Sequence, residues 1–289
     1  MRSLLLITTV FAAFSAPILL AQDNPLDLAS DGNILFLPQE VRQDVFASVE
    51  QLSPTRTVAA SDSPLQLIPR ATNWRAFRYE VGDSSYSLED YFARSASRGL
   101  IVTQGNEILL ERYGDGNNIK TRWITFSVTK SVTSLLIGAA INDGYIQSVE
   151  EYVADYLPRL KDTPYAEVKI KNLLHMSSGV AWNEDYADPN SDVAKAGALN
   201  GPKLVEYLSK LPRVAEPGQI FNYNTGETNL VGELLRSAIG NNASAYLETK
   251  IWRPFGMEDD AYWLLSDEGG VETGGCCINA TLRDYARIG

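Results

Sequence analysis

The stretch from Ser127 to Ile141, Ser-Val-Thr-Lys-Ser-Val-Thr-Ser-Leu-Leu-Ile-Gly-Ala-Ala-Ile, constrains the fold of this chain more than any other. Its apolar residues run most of the way round a helical projection, so it is expected to lie buried between two layers. Asn142-Asp143-Gly144 supplies the stop signal. Lys130 falls in the first turn of this apolar helix, where an ammonium is costly to bury. Ser127 stands three residues earlier, on the same face and one turn away. An amine so placed can take the serine proton, and a nucleophile beside a base is the minimal arrangement for covalent acyl transfer. The positive end of the helix dipole favours negative charge developing at the same place. A Ser-x-x-Lys spacing is expected roughly once by chance in a chain this long, so the surroundings have to decide.

The 289 residues are 45% hydrophobic, enough for one large domain or two interleaved lobes. The formal net charge of −11 speaks against nucleic acid as a partner, and the acidity reads as a solubility feature. Residues 1–21 have a basic start, an apolar middle and a small residue at Ala21, the pattern of a secretory signal peptide. Pro17 and several hydroxyl residues interrupt the run, which disfavours a permanent membrane anchor. The protein is therefore expected to be exported, periplasmic or secreted. Cys276 and Cys277 are adjacent, and the strained ring that would join them makes two free, buried thiols the expectation. With a single histidine, His175, and no spaced Cys/His cluster, no metal site is expected. His175 reads as a packing or capping residue.

Residues 22–74 read as an irregular N-terminal extension. Gly99–Gln104 and Glu107–Tyr113 flank Gly105-Asn106, the pattern of a β-hairpin with a two-residue turn. After the apolar helix come helical patterns over 149–157, 169–176, 203–211, 227–239, 244–252 and 281–288, separated by loops rich in Gly, Pro, Asn and Asp. Asp284 and Arg287 on the last of these read as a surface pair. Trp123, Trp182, Trp252 and Trp263 read as core and cleft wall. The fold class expected is α/β of the α+β type: an antiparallel sheet flanked by helices, plus a mostly helical lobe. One hairpin does not make a stable sheet. The chain reaches Gly289 directly after a helix, so the sequence reads as cut short, with C-terminal strands missing.

A second candidate lies in Phe221-Asn-Tyr223-Asn224-Thr225-Gly226, on a loop between a Pro-Gly turn and the next helix. A tyrosine hydroxyl there, beside Lys130, is a candidate proton shuttle. Taken together, Ser127-Val-Thr-Lys130 and Tyr223-Asn-Thr225 resemble the serine β-lactamase and penicillin-binding-protein superfamily. The resemblance is to the class C-like branch, and several stretches are similar to the 6-aminohexanoate-dimer hydrolase group. These are Trp123–Ser127, Leu173–Gly179, Trp182–Tyr186, Phe221–Gly232, Trp252–Trp263 and Asn279–Gly289.

The resemblance implies a partial β-lactamase-like serine hydrolase domain over 75–289, acting on a small ester or linear amide without a cofactor. A β-lactamase or D,D-peptidase-like enzyme, or a catalytically inactive binding relative, are the alternatives. It further implies Ser127 as nucleophile and half of the oxyanion hole, Lys130 as base, and Tyr223 as proton carrier. Tyr186 and Thr225 are implied at the substrate cleft. Asn279, read from its position alone, is a candidate either for the cleft edge or for the cap of the helix beginning near Thr281. Thr225 stands where lactamases usually carry asparagine, which disfavours an efficient β-lactamase. The superfamily's third box, a Lys-Thr-Gly-like or His-x-Gly-like triplet, has no match. Lys195-Ala-Gly197 precedes the tyrosine and Glu272-Thr-Gly-Gly275 lacks the cation. The third box and a second oxyanion-hole donor are thus expected beyond Gly289, and the chain alone is expected to be unstable or inactive.

Overall fold

The computed structural model describes residues 34–114 and 116–289, so the signal peptide expected over 1–21 lies outside the described residues. Helix α1 (Gln39–Phe46) precedes strands β1 (Thr55–Val58), β2 (Ile68–Pro69), β3 (Arg78–Val81) and β4 (Ser84–Ser87). Helix α2 (Leu88–Ser95) leads into β5 (Gly99–Gln104), β6 (Glu107–Tyr113), β7 (Arg122–Ile124) and helix α3 (Thr129–Asn142). The helical lobe comprises α4 (Val153–Tyr156), α5 (Ile170–Leu174), α6 (Asp192–Ala196), α7 (Gly201–Leu208), α8 (Thr225–Ile239) and α9 (Ala243–Leu247). Strands β8 (Ala261–Leu264) and β9 (Ile278–Thr281) and helix α10 (Leu282–Ile288) follow.

The hairpin forms as expected. Strands β5 and β6 pair antiparallel, with a register shift between Val102 and Thr103. Gly105 turns the chain at φ +58°, a conformation that costs glycine little. Strand β2 adds in parallel to β6, giving the order β2-β6-β5. The chain also carries a second, four-stranded antiparallel sheet, β1-β8-β9-β7, which sequence patterning does not reveal. Its strands have at most four residues, and every residue of β9 is buried, so no alternation marks it.

Two expectations about the N-terminal half are corrected. The described part of 22–74 is not an irregular extension. Strand β1 pairs with β8 and buries Val58 completely. Phe46 of α1 packs edge-on against Trp123 and Phe126, with ring centroids 5.8 and 4.9 Å apart. Apolar residues of this segment fall in short groups such as Ile34–Leu37 and Val45-Phe46, so no periodic stripe advertises it. Nor is α3 enclosed on both sides. Val132, Leu136, Ile137 and Ala140 enter the core with Leu230, Val231, Leu234 and Leu235 of α8. Ser131, Ser134 and Gly138 keep the other face small and polar, and Leu135 is 43% exposed there.

A third correction concerns Asp284 and Arg287, which form an interior pair and not a surface one. Their side chains are 0% and 1% exposed, with Arg287 Nη1 2.8 Å from Asp284 Oδ1. The Asp284 carboxylate also accepts the backbone N–H groups of Glu258 and Asp259 at 2.7 and 3.0 Å. Thr281, the N-cap of α10, accepts from the Asp284 N–H. This one carboxylate therefore fastens α10 to the turn before β8. Trp252 and Trp263 fill the core, as expected. Among the described residues, no helix is long and apolar enough to cross a membrane.

Candidate active site

Ser127 sits in a 3-10 turn, Phe126–Val128, that runs directly into α3. Phe126, immediately before it, is held at φ +43°, a left-handed conformation that costs a non-glycine residue about 1–3 kcal/mol and must be enforced by its surroundings. The enforcement comes from β9. Thr125 donates its N–H to the Ile278 carbonyl at 2.9 Å. Thr129 Oγ1 accepts the N–H groups of Cys277 and Ile278, each at 3.0 Å, and lies 2.7 Å from Thr125 Oγ1. The turn is thus pinned on both sides of the serine.

One turn deeper, Lys130 Nζ lies 3.1 Å from Ser127 Oγ and donates to the Gly275 carbonyl at 2.8 Å. The approach requires glycine. A Cβ at Gly275 would stand 2.8 Å from Asn229 Oδ1 and 3.3 Å from both Lys130 Nζ and the Thr225 methyl. Asn229, fully buried on α8, accepts the Gly275 N–H at 2.8 Å and donates to the Gly197 carbonyl at 3.0 Å. It holds the 274–275 backbone against the lysine. Burial pushes the Lys130 amine down to about 8, while the negative charge of Glu184 opposes that shift. At pH 7 roughly a tenth of such an amine is neutral and able to accept a proton.

Tyr223 stands just before the N-cap of α8. Asn224 is that cap, and its side chain accepts the Glu227 N–H at 2.9 Å. The Lys130 ammonium lies over the Tyr223 ring, 5.3 Å from its centroid. Ser127, Lys130, Tyr223, Ser131, Leu173 and Met176 line one cleft of about 290 Å³, near the lower end of the usual ligand-pocket range. Three groups named from sequence as nucleophile, base and proton carrier therefore share one cavity.

The other sequence candidates separate. Thr225 is the first residue of α8. Its hydroxyl and its N–H both go to Glu184, the latter at 3.0 Å, so the hydroxyl is committed within the protein. Tyr186, 42% exposed, donates to Glu184 Oε1 at 2.8 Å, and partial burial pushes its phenol up to about 12. Asn279 does not reach the cleft. It is buried in β9, and its amide donates to the Tyr262 and Cys277 carbonyls. It does not cap α10 either, because Thr281 does. The exposed His175 is the C-cap of α5, with its N–H on the Lys171 carbonyl at 2.9 Å. Cys276 and Cys277 are joined as a vicinal disulfide, against the expectation of free thiols, with Cys277 at φ +147°. Glu272–Gly275 passes behind Lys130 and supplies a carbonyl, not a cation, to it.

Sequence reasoning missed three residues, Glu184, Asn229 and Glu227. Glu184 accepts from Trp182 Nε1, Tyr186 OH and both donors of Thr225. Its position between two aromatics in Trp182-Asn-Glu-Asp-Tyr186 was the available signal. Asn229 lies one helical turn beyond Thr225, on a face shared with Gly226, Gly232 and Glu233, so no break in an apolar stripe marks it in the sequence. Glu227, also overlooked, is buried on α8 and accepts from Tyr165 OH at 3.2 Å and from Ser178 Oγ. Burial pushes its carboxyl up to about 7.

The model of the beta-lactamase family matches residues 89–289, a span that contains the whole of this site. The chain belongs to the beta-lactamase family. This beta-lactamase family member is 27% identical to the 6-aminohexanoate-dimer hydrolase of Paenarthrobacter ureafaciens over 256 residues, 84% of this chain and 62% of that protein. It thus spans less than two thirds of that relative's length. Among solved structures, a "putative 6-aminohexanoate-dimer hydrolase" from Bacillus anthracis superposes with TM-score 0.74 at 22% identity, covering 87% of this chain and 68% of that one. A class C beta-lactamase from Rhodobacter sphaeroides gives TM-score 0.52 at 18% identity, covering 69% and 62%. At those identities the two structures establish a shared fold, and the α+β class expected from sequence is the one observed.

Proposed function

We propose that this beta-lactamase family protein is a serine hydrolase that acts through an acyl-enzyme on a linear amide or carboxylic ester. One observation carries the reading. Lys130 Nζ, an amine brought to about 8 by burial, lies 3.1 Å from Ser127 Oγ in an open cleft. In the neutral state its lone pair accepts the serine proton as Oγ bonds to the substrate carbonyl carbon, leaving a tetrahedral oxyanion. Collapse expels the amine or alcohol, which takes up a proton relayed from Lys130 through the Tyr223 hydroxyl. Water then adds to the Ser127 ester by the reverse proton path and releases the acid. The Ser127 N–H supplies one oxyanion donor.

Support for a linear amide or ester over a β-lactam comes from Thr225. It offers no side-chain amide, and its hydroxyl is already spent on Glu184. The name of the Paenarthrobacter ureafaciens relative, a hydrolase of 6-aminohexanoate dimer, points to the same class of linear amide. The expected test result is labelling by a fluorophosphonate probe that vanishes in Ser127→Ala. Labelling by a fluorescent penicillin and not by the phosphonate would transfer the assignment to a penicillin-interacting enzyme. No labelling by either would leave a binding role. We also propose export, on the strength of the basic-then-apolar start of the sequence. Fractionation that left the protein at full length in the cytoplasm would refute it.

A further inference from the structure

Glu184 joins two segments that meet beside the cleft. Its two oxygens accept four hydrogen bonds: from Trp182 Nε1, from Tyr186 OH at 2.8 Å, and from the N–H and hydroxyl of Thr225. Two of the donors belong to the 182–186 loop and two to the first residue of α8. The carboxylate therefore ties the loop to the helix start. Tyr223 is two residues before Thr225, on the segment this tie fastens. The Thr225 methyl and Lys130 Nζ lie 3.3 Å from one common point over Gly275, so the fastened residue is a neighbour of the amine.

We propose that Glu184 is a positioning residue of this centre: it fixes the Tyr223–Thr225 turn against the 182–186 loop and sets a carboxylate on Thr225, the residue that adjoins Lys130. The role in turnover rests on the serine hydrolase reading, whereas the charge relation to Lys130 does not. The groups facing Lys130 can be named from each element around it. Its own turn offers the Ser127 hydroxyl, and the loop before α8 offers the Tyr223 ring. The 272–277 segment offers the Gly275 carbonyl, and its two cysteines are tied to each other and do not titrate. The 182–186 loop offers Glu184. Among the described residues, Glu184 is the charge that acts on the amine, in the direction opposite to burial.

The consequence is a compromise. Burial alone would make Lys130 a neutral amine at lower pH. The carboxylate holds a fraction of it as ammonium, able to return a proton to a leaving group. Removing the charge while keeping the shape shifts that balance in one direction only.

The test is a titration of the Lys130 ε-carbon by NMR in the full chain carrying 13C-labelled lysine. The signal is identified by its loss in Lys130→Met. The wild-type midpoint is expected near 8. In Glu184→Gln it is expected to fall by about one pH unit, the lower end of what an opposite charge nearby produces. In Glu184→Asp, which keeps the charge, it stays near the wild-type value. An unmoved midpoint in Glu184→Gln overturns the proposal. The pH dependence of fluorophosphonate labelling at Ser127 is measured in parallel, and its midpoint is expected to move down with the lysine. A Glu184→Gln protein that labels more slowly at every pH with an unmoved midpoint would show a merely structural carboxylate, and also refutes it. Absence of labelling in the wild type would sink the hydrolase reading, while the lysine titration would still decide the charge relation.

Discussion

Replacing Glu227 by glutamine should make the protein more stable at pH 8 and leave it unchanged at pH 5. The side chain is 1% exposed on α8, and its Oε2 has no hydrogen-bond partner. Burial raises its carboxyl from 4.5 to about 7 in the folded protein. Between those two values the native state holds a proton that the unfolded chain has released. The unfolding free energy therefore falls as pH rises through this window. The contribution is complete below 4.5 and lost above about 7. At about 1.4 kcal/mol per pH unit the loss amounts to about 3 kcal/mol. Glutamine reproduces the protonated form: its carbonyl accepts from Tyr165 and Ser178 as Oε1 does. Urea unfolding of both proteins at pH 5 and pH 8, followed by tryptophan fluorescence, isolates the effect as a double difference in which other titrations cancel. A double difference under about 1 kcal/mol, or of opposite sign, would refute the assignment of a buried, late-titrating carboxyl.

Three further outcomes follow from the same geometry. Fluorophosphonate labelling of Ser127 should rise about tenfold per pH unit below about 8 and level off above it, because only the neutral Lys130 amine can accept the serine proton; a rate independent of pH from 6 to 9 would argue against Lys130 as base. Gly275→Ala should reduce labelling at least about tenfold and destabilise the fold by about 1–3 kcal/mol, since the new Cβ stands 2.8 Å from Asn229 Oδ1; near-wild-type labelling and stability would show that the backbone there can yield. Asp284→Ala should cost about 2–4 kcal/mol in chemical denaturation, because it removes one of the two carboxylates paired with Arg287, Glu258 remaining, and leaves two buried N–H groups unmet; a loss under about 1 kcal/mol would return the pair to the surface role read from sequence.

The legible parts of the fold were those with a local cause. The β5–β6 hairpin follows from Gly105-Asn106 between two apolar strands, and the end of α3 follows from Asn142-Asp143-Gly144. The helix patterns over 227–239 and 281–288 lie within two residues of the observed elements, because each is amphipathic and capped by Asn224 or Thr281. Ser127 and Lys130 were legible because three residues on a helix fix a distance. The non-local parts were not. The strands of the four-stranded sheet are short, and their partners are remote in sequence. Asp284 looks like a surface acid until the turn at Glu258 is brought to it. Asn279 looked free to reach a cleft because its strand was unseen. Glu184 acquires its meaning only when Thr225 arrives from another segment.

The pairing of β1 with β8 has a consequence for synthesis. Thr55 meets Leu264 across that ladder, so the strand emerges from a ribosome roughly two hundred residues before its neighbour in the sheet among the described residues. At typical elongation rates of about 5–20 residues per second, the wait is on the order of ten to forty seconds. During that interval Val58, destined for full burial, has no place to go. This edge of the sheet therefore closes late, when a young strand arrives beside an old one.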